Sequence, residues 1–324
     1  MGVGVGSAGH HHGEILQGAL RVAAEVVPCL ITMPVGSVGS RVKYVGMEGR
    51  VEAVVGRGGR EVDGRAPIEV AGQIFDVVPG WKRKAARAAG LALALVGAPV
   101  GGRLEIECSV ATGVGLGSST CDVVAAIRAV CNAYGVEPAA ADVARLAIEA
   151  EGAADPIMFD GEMVLFAQRR GYVLESFGSW APPYAVLSID TDPGGPGVDT
   201  LSQPVPQYTD ADLAAFENMV GKARQAFRAR DSVVLAAIAT ESAALNQRFV
   251  PLRHFREIRD LAQEYHALGV QISHSGTVAG ILFDTRSGRG PGDALIDEVT
   301  ARVRSLGARP RGLLTTGATL GTDH

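Results

Sequence analysis

Three groups of residues in this chain have the types and spacing to do chemistry. The first is Thr112-Gly113-Val114-Gly115-Leu116-Gly117-Ser118-Ser119-Thr120. A glycine-rich turn leading from a strand into a helix presents unpaired backbone N–H groups at the positive end of the helix dipole, which suits phosphate. The Ser118, Ser119 and Thr120 hydroxyls add oxygens that could hold phosphate or a metal ion. A tight turn with a Ser/Thr cap is the plain alternative. The second group is His10-His11-His12. Adjacent histidines on a strand point to alternate faces, and no other Cys or His cluster completes a zinc site. The run therefore reads as an exposed polar strand entry or an active-site edge. The third group is acidic: Glu149, Glu151, Asp155 and Asp160 follow one another closely.

Rival motifs fail on context. No GxxxxGK[ST] occurs, because no lysine follows Gly117, and no GxSxG nucleophile elbow is present. A formal GxGxxG at Gly4, Gly6 and Gly9 has only three residues before it and no obvious helix after it, so a dinucleotide fingerprint is discounted.

The elements needed to position these residues are legible from pattern. Residues 20–55 predict strands with turn breaks at Pro34–Gly39, and Leu104–Val110 alternates as a strand. After the loop, Val123, Ile127, Val130 and Tyr134 share one helical face. Helices are predicted at 82–96, 137–151, 213–227, 232–249, 253–268 and 293–306, and strands at 164–166, 172–174, 184–189, 270–273 and 312–316. The mixture lacks regular βαβ alternation and predicts an α+β chain of two lobes. The texture changes near 176–183, giving expected domains of 1–178 and 179–324.

Composition sets the outer limits. The 324 residues include 42 glycines, without a collagen period, and the net charge is −5. Disorder is excluded by 47% hydrophobic content, and a general nucleic-acid binder by the absent basic field. No apolar run approaches a membrane span. Four cysteines without CxxC spacing read as free thiols, and with no signal peptide the expectation is a cytoplasmic protein. Gly56–Gly64 and Gly194–Gly197 read as loop tips, and Gly4, Gly6 and Gly9 as uninformative.

The strand–GVGLGSST–helix segment resembles the second signature of the GHMP kinases (galactokinase, homoserine kinase, mevalonate kinase, phosphomevalonate kinase). Ser118-Ser119-Thr120-Cys121-Asp122 is similar to the run in the L-threonine kinases of cobalamin biosynthesis. Gly13-Glu14-Ile15-Leu16-Gln17-Gly18 resembles that branch's N-terminal motif, and Ser273-His274-Ser275-Gly276-Thr277-Val278-Ala279-Gly280 its C-terminal one. Asp155-Pro156-Ile157-Met158-Phe159 falls where the superfamily carries an acidic segment. The resemblance implies a nucleotide-binding N-terminal lobe, a ferredoxin-like C-terminal lobe and an active site between them. It also implies ATP, Mg²⁺ and phosphate transfer to a small hydroxylated substrate, L-threonine first, by a monomer or homodimer.

On that resemblance Gly113–Thr120 would cradle the ATP phosphates. Ser119 would ligate Mg²⁺ with one carboxylate, Glu149 as first choice and Glu151 as second. Asp155 would be the catalytic base, with Asp160 as fallback. Glu14, Gln17, Ser275, Gly276 and Thr277 would meet the substrate, Glu14 through an ammonium group. His274 reads equally as structural or functional. Some members pair the aspartate with an N-terminal lysine. Here no lysine precedes Lys43, and the segment carries His12 and Glu14 instead, which leaves open whether Asp155 abstracts a proton or only positions substrate. Two alternatives stand beside this: a specialised-metabolism kinase for another hydroxylated amino acid or amino alcohol, and a non-catalytic nucleotide-binding regulator on the same fold. An NAD-dependent enzyme is a distant third.

Overall fold

The computed structural model describes residues 2–47, 66–70, 72–98, 101–109, 117–195, 206–274, 277–286 and 290–317. Its spine is a long antiparallel ribbon, β1 (Val3–Val22) and β2 (Glu25–Gly46). The expected breaks at Pro34–Gly39 do not end β2. The ribbon absorbs them as register shifts opposite Ala8–His10, which lets one strand continue past a proline. Gly4 and Gly6, read from sequence as uninformative, have a packing role. A Cβ at either would overlap backbone atoms of the helix α2 (Ser118–Ala133), so these glycines set how closely β1 lies on it.

On one side of the ribbon follow β3 (Ala66–Val70), β4 (Gln73–Val78), α1 (Arg83–Leu95), β5 (Gly102–Cys108), α2 and α3 (Ala140–Glu151). The short pair β6 (Val164–Ala167) and β7 (Tyr172–Ser176) joins β2 at Leu30. The rest of the chain forms β8 (Tyr184–Asp190), α4 (Asp210–Ala229), α5 (Ser232–Asn246), α6 (Phe255–Glu264), β9 (Gly269–Ile272), β10 (Val278–Asp284), α7 (Asp293–Ser305) and β11 (Arg309–Thr315). Its antiparallel strand order β11-β8-β10-β9 is that of a ferredoxin-like βαββαβ unit. β9 meets β1 at Ile272 and Glu14, so one sheet runs through both lobes.

Three buried clusters hold this frame. One lies beneath α1–α3. A second joins Ile15, Leu16, Ile31 and Met33 of the ribbon to Phe216 and Met219 of α4 and Leu235 of α5. A third fills the space between β8–β10 and α6–α7. The middle of the ribbon is thus shared, which fixes the two lobes against each other where Glu14 sits. Among the described residues no helix is long and apolar enough to cross a membrane, and the four cysteines form no disulfide with one another.

Candidate active site

The first turn of α2 begins at Gly117, whose left-handed backbone (φ 71°) turns the chain into the helix without a side-chain cap. The first N–H groups of the helix are therefore left for an anion. A Cβ at Gly117 would overlap the His11 ring and crowd Asp155, so glycine is required here for contact with both as well as for its φ. Gly113–Leu116 lie outside the described residues, as do Ser275 and Gly276.

From this turn hydroxyls reach down to two carboxylates. Ser119 Oγ donates to Glu151 Oε2 at 2.7 Å, and Thr120 Oγ1 donates to Glu151 Oε1 at 2.8 Å. Thr120 Oγ1 also lies 3.4 Å from the Asp155 N–H and 3.5 Å from Asp155 Oδ2. Glu151 is the last residue of α3, and the left-handed Gly152 redirects the chain so that Asp155 follows into the same space. Glu149 is elsewhere. It is exposed and faces Arg145 one turn earlier at 4.0 Å, because two positions along a helix turn a side chain to a different face. The carboxylate beside Ser119 is Glu151. Asp160 is also remote from the cluster, exposed and paired with Arg128.

Asp155 stands in a ring of alternating carboxyl and imidazole groups. His11 Nε2 lies 3.0 Å from Asp155 Oδ2, and His274 Nδ1 lies 3.5 Å from Asp155 Oδ1. Glu14 closes the ring, with Oε1 at 3.8 Å from His11 Nδ1 and 3.6 Å from His274 Nδ1. The two imidazoles stack with centroids 6.5 Å apart. His11 and Glu14 are three residues apart on β1 and would face opposite sides of a regular strand. Gly13, at φ 62° beside a register shift, bulges the strand and brings them to one side. His274 arrives from the β9–β10 turn, so the ring is built from both lobes.

The electrostatics follow from burial and these partners. Burial opposes a charged imidazole at His11, but the Asp155 carboxylate outweighs it and pushes His11 up to about 9. At Asp155 burial would favour the acid, yet His11 and His274 override it and hold the carboxyl well below its usual range. His274 is raised despite burial, by Asp155 and Glu14. Glu14 is raised by burial, and neither of its oxygens has a hydrogen bond of normal geometry with the described protein groups. Burial also pushes Glu151 up to about 7 against the pull of the Ser119 and Thr120 hydroxyls.

The neighbouring histidines serve other purposes. His12 points away from Asp155. Gln271 donates to its Nδ1, and its Nε2 donates to Ser188 Oγ at 2.8 Å. Burial and the charge of His11 push His12 down to about 3, so it is a neutral pin between β1 and the C-terminal lobe. His10 approaches the Ser37 carbonyl at 3.2 Å. The alternation expected for the three histidines holds, but they are buried rather than an exposed strand entry. The residue of this segment that pairs with Asp155 is His11, not His12. Its signal was available only in combination with the bulge at Gly13.

Of the other expected residues, Ser118 and Thr277 are buried. Gln17 does not join the ring. Its N–H donates to Ser242 Oγ at 2.9 Å and its carbonyl accepts from Asn246, docking β1 on α5. A residue missed from sequence is Lys82, buried at the N-terminus of α1. It pairs with Asp122, which also accepts from Ser40 Oγ at 2.8 Å. This contact ties the start of α2 to α1 and β2.

Two metal environments are distinguishable. Ser119 and Glu151 offer oxygen donors only, which a hard cation prefers. His11, Glu14 and Asp155 also have ligand atoms within 4.8 Å of one another, but they include an imidazole.

The family model of the GHMP kinases N terminal domain matches residues 83–160, and that of the GHMP kinases C terminal domain matches residues 223–305. The chain belongs to the GHMP kinases. The first match takes in Glu151, Asp155 and the Gly113–Thr120 segment, and the second takes in His274. The L-threonine kinase of Citrobacter freundii is 25% identical to this GHMP kinase over 188 residues, 56% of the chain and 62% of that relative. The match thus spans less than two thirds of the relative's length. A homoserine kinase structure from Cytophaga hutchinsonii superposes with a TM-score of 0.62 at 16% identity, covering 98% of this chain and 95% of that one. The L. major mevalonate kinase in complex with R-mevalonate gives 0.59 at 16% identity, covering 98% and 97%. These structures establish the fold shared with this GHMP kinase.

Proposed function

We propose that this GHMP kinase transfers phosphate from ATP to the hydroxyl of a small amino acid, with L-threonine and its β-hydroxy relatives as the acceptor class. One observation carries the reading. The open N-terminus of α2 is in contact with a buried, ionised Asp155 that two histidines hold in place. Phosphoryl transfer depends chiefly on positioning and charge neutralisation, and this arrangement would serve both. The likeness to L-threonine kinase supports the amino-acid acceptor.

The phosphates would rest on the first-turn N–H groups and on Gly113–Thr120. Ser119 and Glu151 would hold Mg²⁺, which would neutralise phosphate charge. Asp155, kept anionic by His11 and His274, accepts a hydrogen bond from the acceptor hydroxyl and aims it at phosphorus. A carboxylate held this low is a weak base, so the proton passes to it late, once the new O–P bond has made the hydroxyl acidic. Glu14 would receive the acceptor's ammonium group, which would supply the hydrogen bonds its oxygens lack. Ser275, Gly276 and Thr277 would meet the substrate, with lobes of 1–178 and 179–324.

The test is purified protein with ATP, Mg²⁺ and L-threonine or another 3-hydroxy amino acid, read as ADP and O-phosphoamino acid. Absence of product with every such acceptor, despite ATP binding, would remove the reading.

A further inference from the structure

The described residues line a cavity of about 250 Å³. It starts at His11 and at Pro156, the residue after Asp155, and runs between the ribbon and the 156–164 segment to the connection between the lobes. Much of its wall is hydrocarbon: Val35, Ile157, Phe159, Met163, Val164 and Trp180. Phe159 and Trp180 are half-buried, so part of each ring faces the cavity rather than the core. Their buried parts are accounted for, Phe159 against Phe166 and Trp180 edge-on to Phe227.

The charged groups of the wall are already engaged or solvated. Asp160 pairs with Arg128, Glu162 accepts from Ser176 Oγ at 3.2 Å, and burial keeps His10 neutral beside the Ser37 carbonyl. Arg230 is exposed to solvent. What the cavity offers a ligand is therefore mainly apolar surface, gained by displacing water from aromatic and aliphatic side chains. L-Threonine, with a single methyl group, would leave most of that surface wet.

We infer that this cavity takes the body of the acceptor, and that the body is apolar: a hydroxylated amino acid bearing an aromatic or branched hydrocarbon group larger than methyl. The inference rests on the proposed kinase reading, which puts the reacting hydroxyl at Asp155. It adds that the wall from Ile157 to Trp180 makes specificity.

Calorimetric titration of the full-length protein tests it, with Mg²⁺ and a non-hydrolysable ATP analogue present. The probes are L-threo-3-phenylserine, L-3-hydroxyleucine and L-threonine. The expected result is binding of the two bulky compounds at least tenfold tighter than threonine. Trp180→Ala should weaken them at least tenfold and leave threonine within about twofold, while Trp180→Phe restores most of the preference. Phe159→Ala provides a second variant if Trp180→Ala fails to fold. Threonine binding as tightly as the bulky compounds, no binding of any probe, or a preference unmoved in both alanine variants would overturn the inference. ADP release is measured separately with the same compounds. Tight, Trp180-dependent binding without any ADP would uphold the apolar ligand and overturn the kinase reading instead.

Discussion

Asp155 is held between His11 at 3.0 Å and His274 at 3.5 Å, so its charge is fixed before any substrate arrives. Asp155→Asn keeps the shape and removes the charge. Turnover should fall at least about 100-fold, the usual scale for a lost general base, with ATP affinity within a few-fold of wild type. Steady-state kinetics and nucleotide titration separate the two. His11 carries a linked prediction for stability. Its folded value of about 9 exceeds the ordinary imidazole value, so its contribution is complete below about pH 6.5 and is lost as pH rises through 9. The contribution is on the order of 3 kcal/mol. Denaturant unfolding at pH 6 and pH 9.5 should show that loss in wild type and a much flatter profile in His11→Ala. Asp155, Ser119 and Glu14 could be named from sequence because each sits in a recognisable run. His11 and Glu151 could not be chosen over His12 and Glu149. The choice depends on a strand bulge at Gly13 and on which face of the last turn of α3 points inward.

At the scale of elements, α2 is fixed at both ends of its contact with the ribbon. At its start, Lys82→Met would leave the buried Asp122 carboxylate without its cation. Stability should fall by about 3–5 kcal/mol, as when one member of a buried pair is removed, while Lys82→Met with Asp122→Leu should recover part of it. Urea unfolding measures both. Farther along, Gly6 lies so close to Ala125 and Arg128 of α2 that a methyl group has no room. Gly6→Ala should destabilise by about 1–3 kcal/mol, the range for overpacking, read in the same experiment. Helices with clear apolar periodicity were legible: 82–96 became Arg83–Leu95, and 293–306 became Asp293–Ser305. The first eighteen residues were not. Their glycines suppress the strand pattern, although small residues are what lets β1 lie on a helix. Nor was the continuity of β2 through Pro34, which depends on the partner strand shifting register.

For the whole molecule, the site exists only because two lobes share one ribbon. Asp155 and the helix N-terminus come from one side, His274 from the other, and His11 and Glu14 from the strand between. His12 pins that strand to Gln271 and Ser188 without carrying charge. The two-lobe α+β organisation was legible from strand and helix patterns mixed without regular βαβ alternation, and the ferredoxin-like second lobe came with the resemblance. The meeting of β1 and β9 at Glu14 and Ile272 is a long-range pairing that no local pattern encodes. Phosphoryl transfer by the intact protein is measured most directly with ATP, Mg²⁺ and a 3-hydroxy amino acid, following ADP and the phosphorylated product together by phosphorus NMR. Wild type should give equal amounts of ADP and O-phosphoamino acid, and Asp155→Asn almost none under conditions where both bind ATP. Equal turnover in the two proteins, or ADP without a phosphorylated acceptor, would contradict it.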